Sequence, residues 1–125
     1  MSDLILIIED NEKNMKLARD LLQYHGFTIA AADNAEDGLA LARAQTPKLI
    51  LMDIQLPGMD GVTALGHLRS DPSTSRIPVV ALTASVMKED RERFDNAGFD
   101  GFITKPIDVR AFPQQVRDHI ARGRG

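Results

Sequence analysis

The sequence predicts a single α/β domain built on a doubly wound parallel sheet. Five short apolar runs alternate with five segments of helical periodicity, and the connections between them are short. Unbroken apolar runs are typical of parallel strands that helices cover on both faces. The 125 residues contain no internal repeat and no low-complexity tract, which fits one domain with one core.

The predicted strands are the five apolar runs, because each is too short to form a helix. They cover residues 4–8, 27–32, 48–52, 78–82 and 99–104. Helical spacing follows the first three strands, in Met15, Ala18 and Leu22, in Ala35, Leu39 and Ala42, and in Val62, Leu65 and Leu68. Gly26 fits a left-handed helix end, Asn34 a helix cap, and Pro47 a helix stop.

The fourth predicted helix, residues 85–96, has a poor apolar face. That face consists mainly of Met87, Phe94 and Ala97, and charged residues fill the positions between Met87 and Phe94. Because burial of an apolar face supplies most of the stability of a helix in a protein, this helix should be loosely docked.

The last helix is expected from Val109, Phe112, Val116 and Ile120, which lie at helical spacing. Asp108 is suited to cap it. Pro113 falls just inside this helix, where it is expected either to shift the start or to bend the first turns.

Chemically active residues follow four of the five strands. They are Glu9 with Asp10, then Asp53, Thr83 and Lys105. Because ligands on such sheets bind beyond the carboxyl ends of the strands, we expect these side chains to converge on one site. Three carboxylates gathered there repel one another unless Lys105 or a cation neutralises them. The sequence therefore predicts an oxygen-rich Mg²⁺ site.

Composition excludes several classes of function. Lys and Arg number 15 and Asp and Glu number 18, a net charge of −3, and no basic block is present to follow a nucleic acid. The chain has no cysteine, no apolar stretch of membrane-spanning length and no leader-like start, which predicts a soluble cytoplasmic protein. His25, His67 and His119 share no ligand spacing and are interpreted as solvent-facing.

Four fragments together resemble the signature of response-regulator receiver domains of two-component signalling. They are Glu9-Asp10-Asn11, the stretch 52–57, Leu82-Thr83-Ala84 and Thr104-Lys105-Pro106. The resemblance implies a flavodoxin-like fold with strand order 2-1-3-4-5 and five flanking helices. It covers residues 1–125 as one receiver domain without an output domain, similar to stand-alone cell-cycle receivers of the DivK type. The first residue, a methionine, favours a complete protein over a receiver cut from a hybrid kinase.

The resemblance implies a role for each site residue. Asp53 is the phosphoacceptor, and a carboxylate can form an aspartyl phosphate. Lys105 pairs with a phosphoryl oxygen, while the Thr83 hydroxyl and the Ala84 backbone N–H donate to the same group. Each of these residues alone would have an ordinary structural explanation, for example Thr83 as a helix cap. Residue types, order and strand-end positions together favour the functional interpretation.

The implied metal ligands are Asp10, Asp53 and the backbone carbonyl of Gln55, with Glu9 acting through a water molecule. Mg²⁺ prefers few carboxylates and retained waters, and Mn²⁺, which favours similar oxygen ligands, can substitute. Glu9 and Asp10 also suit the charged entrance of a helix, a role compatible with metal binding. The family further implies that the peptide bond between Lys105 and Pro106 is cis.

The resemblance also implies a switch and its partners. Phe102 matches the aromatic residue that turns inward when Thr83 moves towards the phosphate, although a static core phenylalanine is the alternative. A histidine kinase or histidine phosphotransfer protein would supply the phosphoryl group. A downstream protein would bind the face of the fourth helix, fifth strand and last helix, and the domain would act as a monomer or weak dimer. The domain would catalyse its own loading and hydrolysis without turning over a substrate.

Three other functions fit the sequence less well. An aspartate-based phosphatase normally has an Asp-x-Asp motif on an early strand, whereas Asp53 follows the third strand and position 55 is Gln. A flavin carrier needs a first loop that cradles phosphate, and the acids at 9–12 would repel it. A docking module that works without phosphorylation would not need the complete set of site residues.

Overall fold

The computed structural model describes residues 3–84 and 87–124, which form a parallel sheet with helices on both faces. The strands are β1 Leu4–Ile8, β2 Thr28–Ala32, β3 Leu49–Asp53, β4 Val79–Thr83 and β5 Gly101–Thr104. The helices are α1 Glu12–Tyr24, α2 Ala35–Gln45, α3 Gly61–Ser70, α4 Lys88–Ala97 and α5 Phe112–Arg122. The strand order is β2-β1-β3-β4-β5 with every neighbouring pair parallel, which confirms the predicted fold.

The strand register places the carboxyl ends of β1, β3, β4 and β5 side by side. Ile8 is paired with Met52, Asp53 with Leu82, and Thr83 with Thr104. Because β3 and β4 each end one residue later than the sequence predicted, Asp53 and Thr83 are the last residues of their strands. The candidate site therefore lies at the carboxyl ends of the strands, with Asp53 and Thr83 still part of the sheet.

Alternating residues of the strands build two apolar layers, one on each face of the sheet. On one face, strand residues such as Leu6 and Ile50 pack with residues of α2, α3 and α4, among them Leu39 and Leu65. On the other face, Ile7 and its strand neighbours pack with residues of α1 and α5. Strands β1, β3 and β4 are covered on both faces, as expected for central parallel strands, whereas Thr28 and Ala31 of the edge strand β2 are exposed.

Helix α4 is the weakly anchored helix that the sequence predicted. Phe94 is its buried residue, at 2% exposure, whereas Met87, at the cap position, makes no side-chain capping hydrogen bond and is 60% exposed. The predicted start at Ser85 lies outside the described residues, and the described helix begins at Lys88.

Helix α5 begins at Phe112, so Val109 lies before the helix and is exposed. The cap of α5 is Ala111, without a side-chain capping hydrogen bond, so the expected cap at Asp108 was wrong. The Asp108 carboxylate instead accepts from the Arg110 and Ala111 N–H groups in the turn before the helix. Pro113 lies in the first turn of the helix. Backbone N–H groups there have no partner within the helix, so the N–H that proline lacks costs no helical hydrogen bond. Of the two predicted effects of Pro113, the shifted start is the one observed.

Two other expectations were wrong. His119 is half-buried, because its imidazole lies against Gly101 and a Cβ at that position would collide with the ring. Val62, expected on the core face of α3, is 36% exposed, and Gly61, Ala64, Leu65 and Leu68 form the buried face instead.

A charged cluster that the sequence did not predict lies at the amino edge of the sheet. We call Arg69, Asp100 and Arg124 the arginine cluster. Asp100 Oδ2 accepts from Arg69 Nη2 and from the Val79 N–H, both at 2.8 Å, and Oδ1 accepts from Arg124 Nε at 3.1 Å. Arg69 Nη1 also donates to the Ile77 carbonyl at 2.8 Å. The cluster ties α3, β4, β5 and the end of the chain together.

No helix in the described part of the chain is both long and apolar enough to cross a membrane.

Candidate metal centre at the carboxyl edge of the sheet

Three carboxylates meet where β1 and β3 end. Glu9, Asp10 and Asp53 each offer an oxygen atom, and these atoms lie within 4.8 Å of one another. We call them the carboxylate cluster. Glu9 and Asp53 are buried, at 2% and 6% exposure, while Asp10 is exposed. Few carboxylates beside open solvent suit Mg²⁺, which keeps several of its waters.

The backbone after β1 explains why Glu9 is buried and Asp10 is not. The Glu9 N–H donates to the carbonyl of Ala32 at 3.0 Å, so Glu9 continues the pairing of β1 with β2. The Asn11 N–H donates to Glu9 Oε2 at 3.2 Å, and the Asn11 side chain accepts from the Asn14 N–H at 3.0 Å to cap α1. The chain thus leaves the sheet at Asp10, whose carboxylate stays at the surface.

Lys105 joins two of the three carboxylates from the end of β5. Its Nζ lies 2.6 Å from Glu9 Oε1 and 3.1 Å from Asp53 Oδ2. Its backbone N–H donates to the Thr83 carbonyl at 2.8 Å, and its bond to Pro106 is cis. Lys105 therefore crosses the site from the β5 side to the β1 side.

Burial and neighbouring charges shift two pKa values in this site. Burial raises the pKa of the Glu9 carboxyl above its ordinary value, and the nearby Asp53 raises it further, against the opposing effect of Lys105. Burial opposes the charged form of Lys105, but its contacts with Glu9 and Asp53 outweigh that effect and raise the pKa of its ammonium group. Both shifts have the sign expected when carboxylates outnumber lysines.

Asp53 is held in place by its strand and by the loop that follows. Its Oδ1 accepts from the Gln55 N–H at 3.0 Å, and Oδ2 faces Lys105. The loop returns to the strand at Gly61, whose N–H donates to the Ile54 carbonyl at 3.0 Å. A Cβ at Gly61 would lie 2.9 Å from the Asp53 carbonyl oxygen, so only glycine permits this close approach.

The carboxylate cluster opens into a cleft of about 340 Å³. The predicted site residues that line it are Glu9, Asp10, Asp53, Gln55, Thr83, Ala84 and Lys105. The structure thus brings together residues from four separate strand ends. The cleft is large enough for a small anion beside a hydrated cation.

Phe102 packs against Phe94 of α4, with ring centres 6.1 Å apart and planes inclined by 49°. Phe94 in turn lines the cleft, so aromatic contacts connect the cleft to β5. Sequence reasoning missed Asp90 and Arg93, which also line the cleft from α4. Spacing offered a signal for Asp90, which lies four residues before the inward-pointing Phe94, but none for Arg93, which is adjacent to Phe94.

Comparisons with known proteins agree with this geometry. A family model described as the response regulator receiver domain matches residues 5–117. The polar-differentiation response regulator DivK of Brucella anthropi is 42% identical over 116 residues, which cover 93% of this chain and 94% of that protein. The same-named protein of Brucella ovis is 41% identical and covers 96% of this chain and 98% of its own.

Solved structures agree as well. The receiver domain of a sensor histidine kinase from Pseudomonas aeruginosa has a TM-score of 0.88 and 28% identity, with 97% of this chain and 99% of that chain covered. That crystal structure has a magnesium ion coordinated in the active-site cleft. A response regulator from Chloroflexus aurantiacus, at 24% identity and a TM-score of 0.91, covers 98% of this chain and 100% of its own and shows the same fold.

Proposed function

Because this chain belongs to the response regulator receiver domain family of two-component signalling, we propose that it is a phosphorylation-activated switch with Asp53 as phosphoacceptor. The observation that carries the proposal is the position of Asp53. Its buried carboxylate lies 3.1 Å from Lys105 and within the carboxylate cluster, at the end of a central strand. A nucleophile, a positive charge and a set of metal ligands are thus present together.

The carboxylate cluster supports magnesium binding. Asp10 and Asp53 with the backbone carbonyl of Gln55 would hold Mg²⁺, or Mn²⁺ in its place, and Glu9 would act through a water molecule. Three carboxylates face one ammonium group, so two negative charges remain for a divalent cation to neutralise. Bound Mg²⁺ would neutralise phosphoryl oxygens during transfer. The magnesium ion in the Pseudomonas aeruginosa receiver supports the same assignment here.

The phosphoryl donor would be a phosphohistidine on a histidine kinase or histidine phosphotransfer protein. An Asp53 carboxylate oxygen forms a bond to phosphorus while the bond between phosphorus and the imidazole nitrogen breaks. The imidazole leaves with the electron pair and takes up a proton. Lys105 places its charge beside the phosphoryl oxygens, where negative charge collects in the transition state.

The switch would begin at Thr83 and Ala84, which line the cleft at the end of β4, the strand next to Asp53. The Thr83 hydroxyl and the Ala84 N–H would donate to the phosphoryl group, and Phe102 would repack as Thr83 moves. The contact between Phe102 and Phe94 supports the next step, because Phe94 is the buried anchor of α4. The α4, β5 and α5 surface would then change shape and bind a downstream protein.

The direct test is the intact mass of the protein after incubation with acetyl phosphate and Mg²⁺. We expect one phosphoryl adduct in the wild type, none in Asp53→Asn and none in excess EDTA. Asp60→Asn is the matched control, because Asp60 lies in the same loop but its carboxylate is exposed and caps α3. Asp60→Asn should form the adduct like the wild type. A wild type without an adduct would overturn the proposal and favour a docking module that works without phosphorylation.

A further inference from the structure

Two basic side chains line the candidate phosphorylation cleft within the described part of the chain. Lys105 reaches it from β5, and Arg93 reaches it from α4. Lys105 is accounted for by its two carboxylate contacts, at 2.6 Å and 3.1 Å. Arg93 has no part in the function proposed above.

The charge balance of the cleft leaves room for a second basic group. With Lys105 and a bound divalent cation, the three carboxylates are neutralised. Phosphorylation then replaces the monoanionic carboxylate of Asp53 with an acyl phosphate that carries two negative charges near neutral pH. One negative charge is therefore not compensated by Lys105 and the cation in the phosphorylated cleft, and the ion pair of Arg93 with Asp90, which adds no net charge, lies in the same cleft.

Arg93 is held loosely enough to respond to that charge. Its guanidinium carbon lies 5.0 Å from the centre of the Phe94 ring, and Nη2 lies 3.7 Å from Asp90 Oδ1. The Arg93 side chain is 65% exposed. Exposed ion pairs of this length contribute little to stability, so the guanidinium can leave Asp90 at small cost.

An ordinary surface ion pair along a helix is the simpler explanation of Arg93 and Asp90. Position argues against it, because both side chains line the cleft together with the phosphate-binding residues Thr83 and Ala84. Arg91 offers a contrast on the same helix, since it is exposed and does not line the cleft.

The geometry points to Arg93 as a second phosphate-binding cation, whose guanidinium leaves Asp90 and pairs with a phosphoryl oxygen on Asp53. This inference rests on the phosphorylation proposed above and adds a residue to it. A guanidinium is suited to the role because its planar donors match phosphoryl oxygens. Since Arg93 lies over Phe94, the same contact links the phosphoryl group directly to the buried anchor of α4.

The test compares Arg93→Gln with Arg91→Gln, which removes the same charge from the same helix outside the cleft. The rate of adduct formation by acetyl phosphate is followed by intact mass at saturating Mg²⁺. We expect Arg93→Gln to lower the second-order rate constant by about threefold to tenfold. Arg91→Gln should stay near the wild-type rate constant. Arg93→Lys should have an intermediate rate constant, because lysine keeps the positive charge but lacks the planar donors of arginine.

Two further measurements separate phosphate binding from a structural role. Added salt should shrink the difference between the wild type and Arg93→Gln, because screening weakens an exposed charge contact. Arg93→Gln should not weaken the affinity of the unmodified protein for Mg²⁺, since Arg93 offers the cation no oxygen ligand and the substitution removes a positive charge from the cleft.

Three outcomes would overturn the inference. Equal rates in Arg93→Gln and Arg91→Gln would show that Arg93 does not contact the phosphoryl group. A weakened Mg²⁺ affinity, or a rate difference that salt does not change, would show that the variant acts through structure. A wild type that forms no adduct would remove the proposed function and this inference together, whereas the first two outcomes leave the proposed function standing.

Discussion

Charged clusters lie at both ends of the strands, which we call the carboxyl edge and the amino edge of the sheet. One cluster has an excess of negative charge and the other an excess of positive charge. At the carboxyl edge, the carboxylate cluster has three acids and one lysine. At the amino edge, the arginine cluster has two guanidinium groups around Asp100. The excess positive charge there is met by backbone carbonyls, because Arg69 also donates to Ser75 and Gly98, and Arg124 donates to Ser75.

The difference shows how a structural cluster and a binding site can be told apart. The chain itself supplies acceptors for both Nη atoms of Arg69 and for Nε and Nη1 of Arg124, and the buried Arg69 Nε is left without a partner among the described residues. Most donors of the arginine cluster are therefore paired without a ligand. At the other edge, the Asn11 and Gln55 N–H groups donate to Glu9 and Asp53, but one ammonium group faces three carboxylates and Asp10 faces solvent. We therefore expect substitutions at the two edges to change stability with opposite signs.

Asp100→Ala should have the largest effect on stability. It removes the carboxylate that joins Arg69, at 17% exposure, to the more exposed Arg124, and it leaves the Val79 N–H without its acceptor. We expect a loss of about 3 kcal/mol in the free energy of unfolding, measured by urea denaturation. Asp20→Ala breaks an exposed ion pair with Lys16 and should cost much less, because solvent screens that pair. Equal losses in the two variants would contradict the structural role of the arginine cluster.

Addition of Mg²⁺ should have the next largest effect on the free energy of unfolding, and this effect should depend on the carboxylate cluster alone. Binding to the folded state at a hundred times the dissociation constant adds about 2.7 kcal/mol to the free energy of unfolding. Asp10→Asn should lose most of this gain, whereas Asp33→Asn, an exposed acid outside the carboxylate cluster, should keep it. Thermal unfolding with and without Mg²⁺ measures the effect. A gain that Asp10→Asn retains would contradict the metal site.

Asp53→Asn should raise stability in Mg²⁺-free buffer by about 1 kcal/mol. The substitution removes the repulsion between Asp53 and Glu9, while Lys105 keeps its contact with Glu9 and the amide oxygen can still accept from the Gln55 N–H. Urea denaturation of both proteins in EDTA provides the comparison. A destabilised Asp53→Asn would show that the carboxylate cluster is balanced like the arginine cluster.

The smallest effect concerns His119 and acid pH. Burial lowers the pKa of its imidazole below 6.5, Arg122 lowers it further, and Asp118 and Asp100 oppose the shift. The unfolded chain therefore takes up this proton more readily, so the contribution of His119 to stability is present above about pH 6.5 and is lost as pH falls through the folded pKa.

The unfolding free energy of the wild type minus that of His119→Gln should fall by less than about 1 kcal/mol between pH 7.5 and pH 5. A difference that is independent of pH would remove the burial of His119 as its cause.

The sequence predicted the fold and the convergence of the site because both follow from local signals. Apolar runs identify the strands, and parallel pairing alone places Glu9, Asp53, Thr83 and Lys105 at one edge. The receiver family was recognised from the same strand ends, and the comparisons confirm it. The roles of the single residues stay predictions, since geometry places them together without showing phosphorylation.

The sequence could not predict features that depend on contacts between distant segments. Asp100 lies 31 residues from Arg69 and 24 from Arg124, and no local pattern links them. The half-buried position of His119 depends on the absence of a side chain at Gly101 of the neighbouring strand. By contrast, the late start of α5 was open to prediction, because Pro113 suits a first turn.

The central claim is that Asp53 receives the phosphoryl group. Borohydride reduces an aspartyl phosphate to homoserine, and peptide mass analysis then identifies the modified position. After incubation with acetyl phosphate and Mg²⁺, the account predicts conversion at Asp53 alone and none in EDTA. Conversion at another acid, such as Asp10 or Asp60, or no conversion in a sample whose intact mass carries the adduct, would contradict it.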